Sequence, residues 1–422
     1  MKQRLTSLDV FRGMTIMLMT IVNNPGDWGN IYPPLEHAEW HGCTPTDLVF
    51  PFFLFIVGIS TVLAMPVKRF DTAVLEKIIV RALRIFLLGL FLNFFSKIHI
   101  GELKGVPLML IRLAFTALIT IALLGDYDRK KQFLVAVGLF VGMIGMAFML
   151  NDFKEVRIPG VLQRIAIVYL IISVIYATTN TTTQVIIGLV CLLGYWGLMS
   201  LVPVPGVGPA NFEKGTNLAA WLDNFLLPGH LWVTSKTWDP EGILSTIPAI
   251  GTGIAGVLAG SWLSSRFSAN KKAAYLILAG VLGVGLGMLW NIVFPINKAL
   301  WTSSFVLYTS GWALLVLGLL YFLIDVIRFD FWTKPFVIFG VNPMVVFFFS
   351  GIIPRALNMI DIPVPQNGAE ASTGLVSWLY EYWIAPFFSA PKNASLAGAI
   401  VYLVIWFIIL IYFYRRKLIF KV

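Results

Sequence analysis

The sequence predicts an all-α protein, a polytopic membrane helical bundle of about twelve transmembrane helices with both termini in the cytoplasm. Only 12% of the 422 residues are Asp, Glu, Lys or Arg, while 58% are apolar. Soluble domains carry about 25% charged residues, and a soluble protein of this size could not cover its surface with so few. Composition therefore excludes a soluble enzyme, a disordered scaffold and a secreted disulfide-rich module.

The helices are predicted from long apolar runs, each able to cross ~30 Å of hydrocarbon. Continuous runs of this length, without ten-residue alternation, exclude a transmembrane β-barrel. We treat residues 1–422 as one membrane domain, with three long loops at about 25–45, 203–242 and 353–394 on the outer side. The twelve runs lie at about 7–24, 46–65, 78–96, 106–125, 132–150, 160–178, 184–202, 243–264, 273–294, 303–325, 335–352 and 395–414.

The orientation is predicted from the basic residues, because Lys and Arg accumulate in cytoplasmic loops. Twenty of the 31 flank the ends of the runs that share a side with the N-terminus, which places both termini inside. Their position in short clusters, and not along one face, excludes nucleic acid as the reason for the net charge of +10. The twenty are Lys2, Arg4, Arg12, Lys68, Arg69, Lys77, Arg81, Arg84, Arg129, Lys130, Lys131, Arg266, Lys271, Lys272, Arg328, Lys334, Arg415, Arg416, Lys417 and Lys421.

Two charged residues stand near the start of the first run. Asp9 and Arg12 occupy positions where a secretory signal needs apolar residues, so we expect no cleavage and a retained first span. Their i, i+3 spacing lets them pair on one helical face. They either anchor the inner boundary as an ion pair or offer Arg12 to an anionic ligand from the cytoplasm.

The densest polar cluster surrounds the first outer loop. His37 and His41 precede the second run, Asp47 opens it, and Asn23 follows the first run. Imidazole can accept and return a proton near neutral pH, and a carboxylate can orient it. Solvated surface histidines are the alternative. The spacing of His37 and His41 lacks the acidic residue of a metalloprotease motif, so we expect no metal.

Several isolated polar residues belong to other runs and loops. Arg164 and Asn342 lie within predicted spans, where Arg164 could instead extend its charge to the outer surface. Asp239 and Glu241 stand at the outer mouth of the eighth run, where they could bind an ammonium group or cap a helix N-terminus. Lys298 is an outer-loop cation.

Tryptophan is concentrated on the predicted outer side, where Trp40 is a candidate for stacking on a sugar. An interfacial belt explains most of these residues, but a belt should occur at both surfaces. Eight of the fourteen tryptophans fall on this side: Trp28, Trp40, Trp221, Trp232, Trp238, Trp301, Trp378 and Trp383.

These segments together resemble one known family, the catalytic membrane domain of heparan-α-glucosaminide N-acetyltransferase and its bacterial relatives. The resemblance runs from residue 7 nearly to the C-terminus. It is carried, in order, by SLDVFRG at 7–13, the region of Asn23, LEHAEWHGCTPTDLVFPFF at 35–53, VRIPGVLQR at 156–164, WDPEGILSTI at 238–247, PINKALWTSS at 295–304 and FGVNP at 339–343.

The resemblance implies transfer of an acetyl group from cytosolic acetyl-CoA across the membrane to the amine of a glucosamine. It also implies that His37, not His41, is the active-site histidine, with Asp47 and Asn23 as catalytic partners. We expect the acetyl-CoA contacts to come from Arg12, Asp9, Arg164 and Asn342. The acceptor contacts are expected from Asp239, Glu241, Lys298 and Trp40.

The resemblance also sets the expected location and partners. A bacterial relative would lie in the inner membrane with His37 on the periplasmic side, and an apolar hairpin at about 106–150 is interpreted as an addition to the family core. Acetyl-CoA, an amino-sugar acceptor, the lipid bilayer and a second copy in a homodimer are the partners considered. The rival functions are a transporter for amino sugars or small anions and an O-acyltransferase acting on an envelope glycan.

Overall fold

Nearly all regular structure in the protein is helical. The computed structural model describes residues 5–65, 67–68, 70–366 and 369–420. The helices are α1 (Thr6–Val22), α2 (Val49–Ala64), α3 (Thr72–Phe95), α4 (Gly105–Leu124), α5 (Arg129–Met149), α6 (Val161–Thr178), α7 (Thr181–Leu201), α8 (Leu218–Leu226), α9 (Thr246–Leu263), α10 (Ala269–Trp290), α11 (Ser303–Leu320), α12 (Lys334–Val341), α13 (Pro343–Leu357), α14 (Leu375–Trp383) and α15 (Pro391–Arg415).

The predicted all-α membrane bundle is confirmed, with a slightly smaller set of long helices. Ten helices of the described chain are long and apolar enough to cross a membrane, and the bent pair α12 and α13 would form an eleventh. The first predicted run forms α1, which has 17 residues and is shorter than the ~20 a span usually needs. The cytoplasmic location of both termini stays a prediction. Four of the basic residues on which it rests, Lys2, Arg4, Arg69 and Lys421, lie outside the described residues.

Glycine allows the central helices to approach closely. A Cβ at Gly256 of α9 would stand 2.0 Å from the carbonyl oxygen of Phe55 in α2, and one at Gly13 of α1 would stand 1.9 Å from the carbonyl oxygen of Phe336 in α12. Both distances are far below van der Waals contact, so each helix pair depends on the absent side chain. Small residues at such crossings are typical of membrane bundles.

The helices alternate in direction, so the loops gather at two ends. We call the end where α1 finishes and α2 begins the His37 end. The predicted hairpin at 106–150 forms α4 and α5, which pack beside α3 at the edge of the bundle. All three long predicted loops lie at the His37 end, and they contain α8, α14 and an antiparallel hairpin of β1 (Asp361–Gln366) and β2 (Ala369–Gly374) that the sequence pattern did not predict.

Two loops at the His37 end are joined through their backbones. The N–H of Gly42 donates to the carbonyl of Ile296 at 2.7 Å. Beside this bond, the Asn297 side-chain nitrogen lies 3.4 Å from Nδ1 of His41. The loop before α2 is therefore fixed against the loop between α10 and α11, although the two are far apart in sequence.

Candidate active site

The centre of the candidate site is a hydrogen-bonded pair of His37 and Asp47. Nδ1 of His37 lies 2.7 Å from Oδ1 of Asp47. The Asp47 side chain is 1% exposed, whereas that of His37 is 54% exposed. The carboxylate is thus held inside the protein, while about half of the imidazole side chain is exposed.

The local sequence explains why Asp47 is so well ordered. Pro45 begins a short 3-10 turn, Pro45–Leu48, that leads into α2, and Thr44 caps it in a reciprocal capping box with Asp47. Oδ2 of Asp47 accepts the N–H of Thr44 at 3.0 Å and that of Ala38 at 3.1 Å. These bonds satisfy one carboxylate oxygen and leave Oδ1 for the imidazole.

Lys298 completes the cluster from the loop between α10 and α11. Its Nζ lies 3.1 Å and 3.2 Å from Nδ1 and Nε2 of His37 and 3.7 Å from Oδ1 of Asp47. Burial lowers the pKa of Lys298, and the carboxylates of Asp47 and Glu241 oppose that shift. Burial, and then the charge of Asp47, raise the pKa of the Cys43 thiol to about 12, which disfavours the reactive thiolate.

A second charged cluster surrounds Arg157, a residue that sequence reasoning missed. Its guanidinium donates to both oxygens of Asp239, at 2.8 Å and 2.6 Å, and also binds the Glu241 carboxylate. Burial alone would lower the pKa of Arg157, but the carboxylates of Glu241 and Asp239 raise it above the usual range. Asp239 and Glu241 are therefore paired and buried, and neither presents a free carboxylate in this structure.

Asp223 of α8 forms hydrogen bonds to the backbone of the loop that carries Asp239 and Glu241. Its carboxylate accepts the N–H of Ile243 at 2.8 Å and that of Asp239 at 3.3 Å. Burial raises the pKa of Asp223 to about 7. Asp223 therefore fixes the segment that carries Asp239 and Glu241 against α8.

Trp40 joins the histidine loop to this second cluster. Its indole N–H donates to the carbonyl of Phe212 at 2.9 Å. The ring meets the edge of Trp238 with the centroids 5.3 Å apart, and Trp238 directly precedes Asp239. The structure thus gathers His37, Asp47, Lys298, Trp40 and the carboxylate pair at one end of the bundle.

Comparison with known proteins finds similarity to one kind of acetyltransferase. The family model described as "Heparan-alpha-glucosaminide N-acetyltransferase, catalytic" matches residues 4–149. The human heparan-alpha-glucosaminide N-acetyltransferase is 29% identical over 396 residues, covering 82% of this chain and 52% of its own length. The mouse protein of the same name is 27% identical over 395 residues, with 82% and 53% covered.

The chain is similar to the human and mouse heparan-alpha-glucosaminide N-acetyltransferases. It spans about half the length of the curated relatives that it matches. The part matched by the family model includes α1, the His37 loop and α2, and it continues through α4 and α5.

Arg164 is buried at the start of α6, and its predicted contact with acetyl-CoA stays a prediction. The residue is 1% exposed and does not extend its charge to the surface. Its guanidinium lies 5.2 Å from the centroid of Trp301 and donates to the Gly242 carbonyl at 2.9 Å. Arg164 therefore belongs to the His37 end, apart from the other residues expected to contact the cofactor, and Trp301, which is fully buried, presents no face to a sugar.

Asp9 and Arg12 lie nearer to the opposite end. Arg12 bonds to Asp9 Oδ1 at 3.1 Å, to the Ser60 hydroxyl at 3.1 Å and to the Gly340 carbonyl at 3.2 Å. From Arg12 to Asn23 the chain rises about 16 Å at 1.5 Å per residue. A ligand that contacts both Arg12 and the His37 end must therefore be extended.

Asn342 and Asn23 stand at helix ends. The side chain of Asn342 donates to the Leu418 carbonyl at 2.9 Å and accepts from the N–H of Phe420 at 3.0 Å, so it fastens the C-terminal tail to the break between α12 and α13. Asn23 ends α1 and is exposed. Within the described chain no hydrogen bond joins its side chain to His37.

Proposed function

We propose that this protein transfers an acetyl group from cytosolic acetyl-CoA to the amine of a glucosamine-type sugar on the opposite, periplasmic side of a bacterial inner membrane. The observation that carries the proposal is the His37–Asp47 pair with its accessible imidazole. The names of the two relatives support the reaction class.

The paired geometry suits general-base catalysis. When the Nδ1–H of His37 donates to Asp47, the lone pair of the neutral ring is on Nε2. Once the acceptor displaces Lys298 Nζ, which lies 3.2 Å from Nε2, that atom can remove a proton from the acceptor ammonium. The neutral amine then attacks the thioester carbonyl. A C–N bond forms and the C–S bond breaks, so CoA leaves as a thiolate or, after taking up a proton, as a thiol. Asp47 stabilises the imidazolium that forms between these steps.

Lys298 and Asn23 are suited to the charge that develops on the substrate. Lys298 places a cation beside His37, where it can stabilise an oxyanion or a departing thiolate. Asn23 carries an amide donor at the end of α1, and the turn that contains Asp47 packs against that helix. We assign Asn23 the role of donating a hydrogen bond to the oxyanion, a bond that would form once the acceptor is bound at the loop.

The acceptor is expected to lie between Trp40 and the Arg157 cluster. Asp239 and Glu241 contribute two negative charges, which Arg157 pairs and the nearby Arg164 also balances. We assign these carboxylates to the ammonium group of a protonated amino sugar, which would take over part of that pairing. Trp40 offers an aromatic surface for the sugar ring.

The donor is expected to enter from the other end. Arg12, supported by Asp9, would meet a phosphate of acetyl-CoA. The pantetheine arm would extend between helices towards the His37 end of the bundle, where Arg164 is also buried. Asn342 supports the neighbouring helix break. No step of this scheme requires a metal.

The proposal is tested with purified protein in proteoliposomes supplied with acetyl-CoA and glucosamine. We expect His37→Ala to abolish the release of free CoA that depends on both substrates. The matched control is His99→Ala, since His99 is an exposed histidine at the same end that bonds to the Lys97 carbonyl. Near-normal turnover in His37→Ala would refute the catalytic assignment.

The same assay separates the rival functions. A transporter would move unmodified amino sugar without acetyl-CoA. An O-acyltransferase would release CoA with sugar alcohols or hydroxyl-bearing glycans but not with amines. Release that is specific for amines supports N-acetylation.

A further inference from the structure

A groove with a charged mouth and an apolar floor opens at the end of the bundle opposite His37. It lies between α12 and α15 and has a volume of about 440 Å³. Three cations line it, Lys334, Arg415 and Lys417. Its apolar wall includes Ile338, Phe407 and Ile411.

The charged and apolar parts are separated along the helix axes. Lys334 begins α12 and Arg415 ends α15, so the cations lie at the tip of both helices. Ile411 and Phe407 precede Arg415 by four and eight residues, which places them about 6 Å and 12 Å deeper at 1.5 Å per residue. A molecule that fits must therefore carry its negative charge at one end and an apolar chain behind it.

Within the described residues, no carboxylate neutralises the three cations. No carboxylate lines the groove, and among the described residues none of the three side chains forms an ion pair with Asp or Glu. Three like charges close together repel unless an anion lies between them. This charge pattern is the first argument for an anionic ligand.

The position of Lys417 is the second argument. It follows the end of α15 with φ of 56°, and the N–H groups of Lys417 and Leu418 return to the carbonyls of Tyr414 and Phe413. This is a Schellman C-cap, in which glycine is preferred at the left-handed position. Asn342 holds the next residues in place through Leu418 and Phe420. The chain thus keeps a lysine beside the groove at a position where its backbone is strained.

We propose that this groove is a binding site for an anionic phospholipid, with the phosphate on Lys334, Arg415 and Lys417 and an acyl chain along Ile338, Phe407 and Ile411. Basic pockets between helices at a membrane boundary bind anionic headgroups. The floor suits an acyl chain better than the pantetheine arm of CoA, because the amides of pantetheine would lose hydrogen bonds against apolar side chains. The proposal is independent of the acetyltransferase function.

The test measures lipid bound to purified protein by native mass spectrometry. Protein in detergent is equilibrated with equal amounts of dioleoylphosphatidylglycerol and dioleoylphosphatidylcholine. We expect the unsubstituted protein to retain phosphatidylglycerol selectively, and the triple variant Lys334→Ala, Arg415→Ala, Lys417→Ala to retain it at least about tenfold less strongly. The matched control, Arg129→Ala with Lys130→Ala and Lys271→Ala, removes three exposed cations from the same end and should leave retention unchanged.

A second variant tests the apolar part without changing charge. Ile411→Trp fills the floor of the groove, so we expect reduced phosphatidylglycerol retention while the size-exclusion profile is unchanged. Equal retention of the two lipids by the unsubstituted protein would overturn the proposal. Equal phosphatidylglycerol retention by the triple variant and its control would also overturn it. So would displacement of bound phosphatidylglycerol by added CoA but not by a second anionic phospholipid.

Discussion

Replacing Arg157 by alanine is expected to destabilise the protein in a manner that depends on pH. Its guanidinium pairs with Asp239 and Glu241, whose side chains are 0% and 6% exposed, while its own is 22% exposed. Removing one partner of a buried ion pair typically costs about 3–5 kcal/mol, because the other charge stays buried and uncompensated. With an unfolding entropy of about 2.1 cal/mol/K per residue, that loss lowers the Tm of a 422-residue chain by roughly 3–6 °C.

The sign of the pH dependence follows from the two carboxylates. Burial already raises the pKa of Asp239, and without Arg157 this effect is less opposed, while Glu241 loses one of the cations that lower its pKa. The folded variant therefore binds protons more tightly than the unsubstituted protein. Its unfolding free energy then falls as the pH rises above about 4. The difference in Tm between Arg157→Ala and the unsubstituted protein should be largest at pH 8 and smallest near pH 5.

Thermal unfolding in nanodiscs, followed by tryptophan fluorescence at pH 5, 6, 7 and 8, measures this difference. Arg355→Ala is the control, since Arg355 donates to the Leu92 carbonyl and has no carboxylate partner in the described part of the chain. Adding Asp239→Asn and Glu241→Gln to Arg157→Ala should recover part of the loss. The same decrease in Tm at pH 5 and pH 8 would refute the reasoning.

Three further predictions concern the site and the packing. Asp47→Asn should lower kcat for acetyl transfer by about 10²–10⁴ with little change in KM, because the imidazole loses its orienting carboxylate; an unchanged kcat in the CoA-release assay contradicts this. Because burial raises the pKa of Asp223 to about 7, above about 3.9 in the unfolded chain, this carboxyl lowers stability as pH rises from about 4 to 7. Asp223→Asn should therefore flatten the dependence of Tm on pH over that range, and equal slopes would show that Asp223 does not titrate there. Gly13→Ala should lower Tm by several degrees, because the added Cβ would meet the Phe336 carbonyl. Gly142→Ala, where the space is open, should leave Tm unchanged or raise it. Similar effects of the two substitutions would exclude close packing as the cause.

Sequence patterns predicted the helices well because each depends on a local property. A run of about 20 apolar residues needs no partner to identify it as a span, and the predicted runs correspond to the long helices and the broken pair. The break itself lies at Asn342, and a residue before proline is disfavoured in helix. That signal stands in the sequence as Asn342-Pro343, but a continuous apolar run concealed it.

The site was predicted in part. His37 and Asp47 are ten residues apart, and their contact could be inferred from residue type and family resemblance. Arg157 was missed although it stands in the same segment as Arg164, because nothing local shows that its partners are Asp239 and Glu241 some 80 residues later. The burial of Arg164 against Trp301 likewise depends on packing between distant segments.

The bond between Gly42 and Ile296 has a consequence for the synthesis of the protein. His37 and Lys298 are 261 residues apart, and at 5–20 residues per second the ribosome needs roughly 13–52 s to make the chain between them. During that time the first helices can enter the bilayer, but the cation that completes the cluster does not yet exist. Under the proposed function, the cluster is completed late, when the α10–α11 segment arrives and bonds to the histidine loop. A nascent chain halted before α10 would then be inserted in the membrane and inactive.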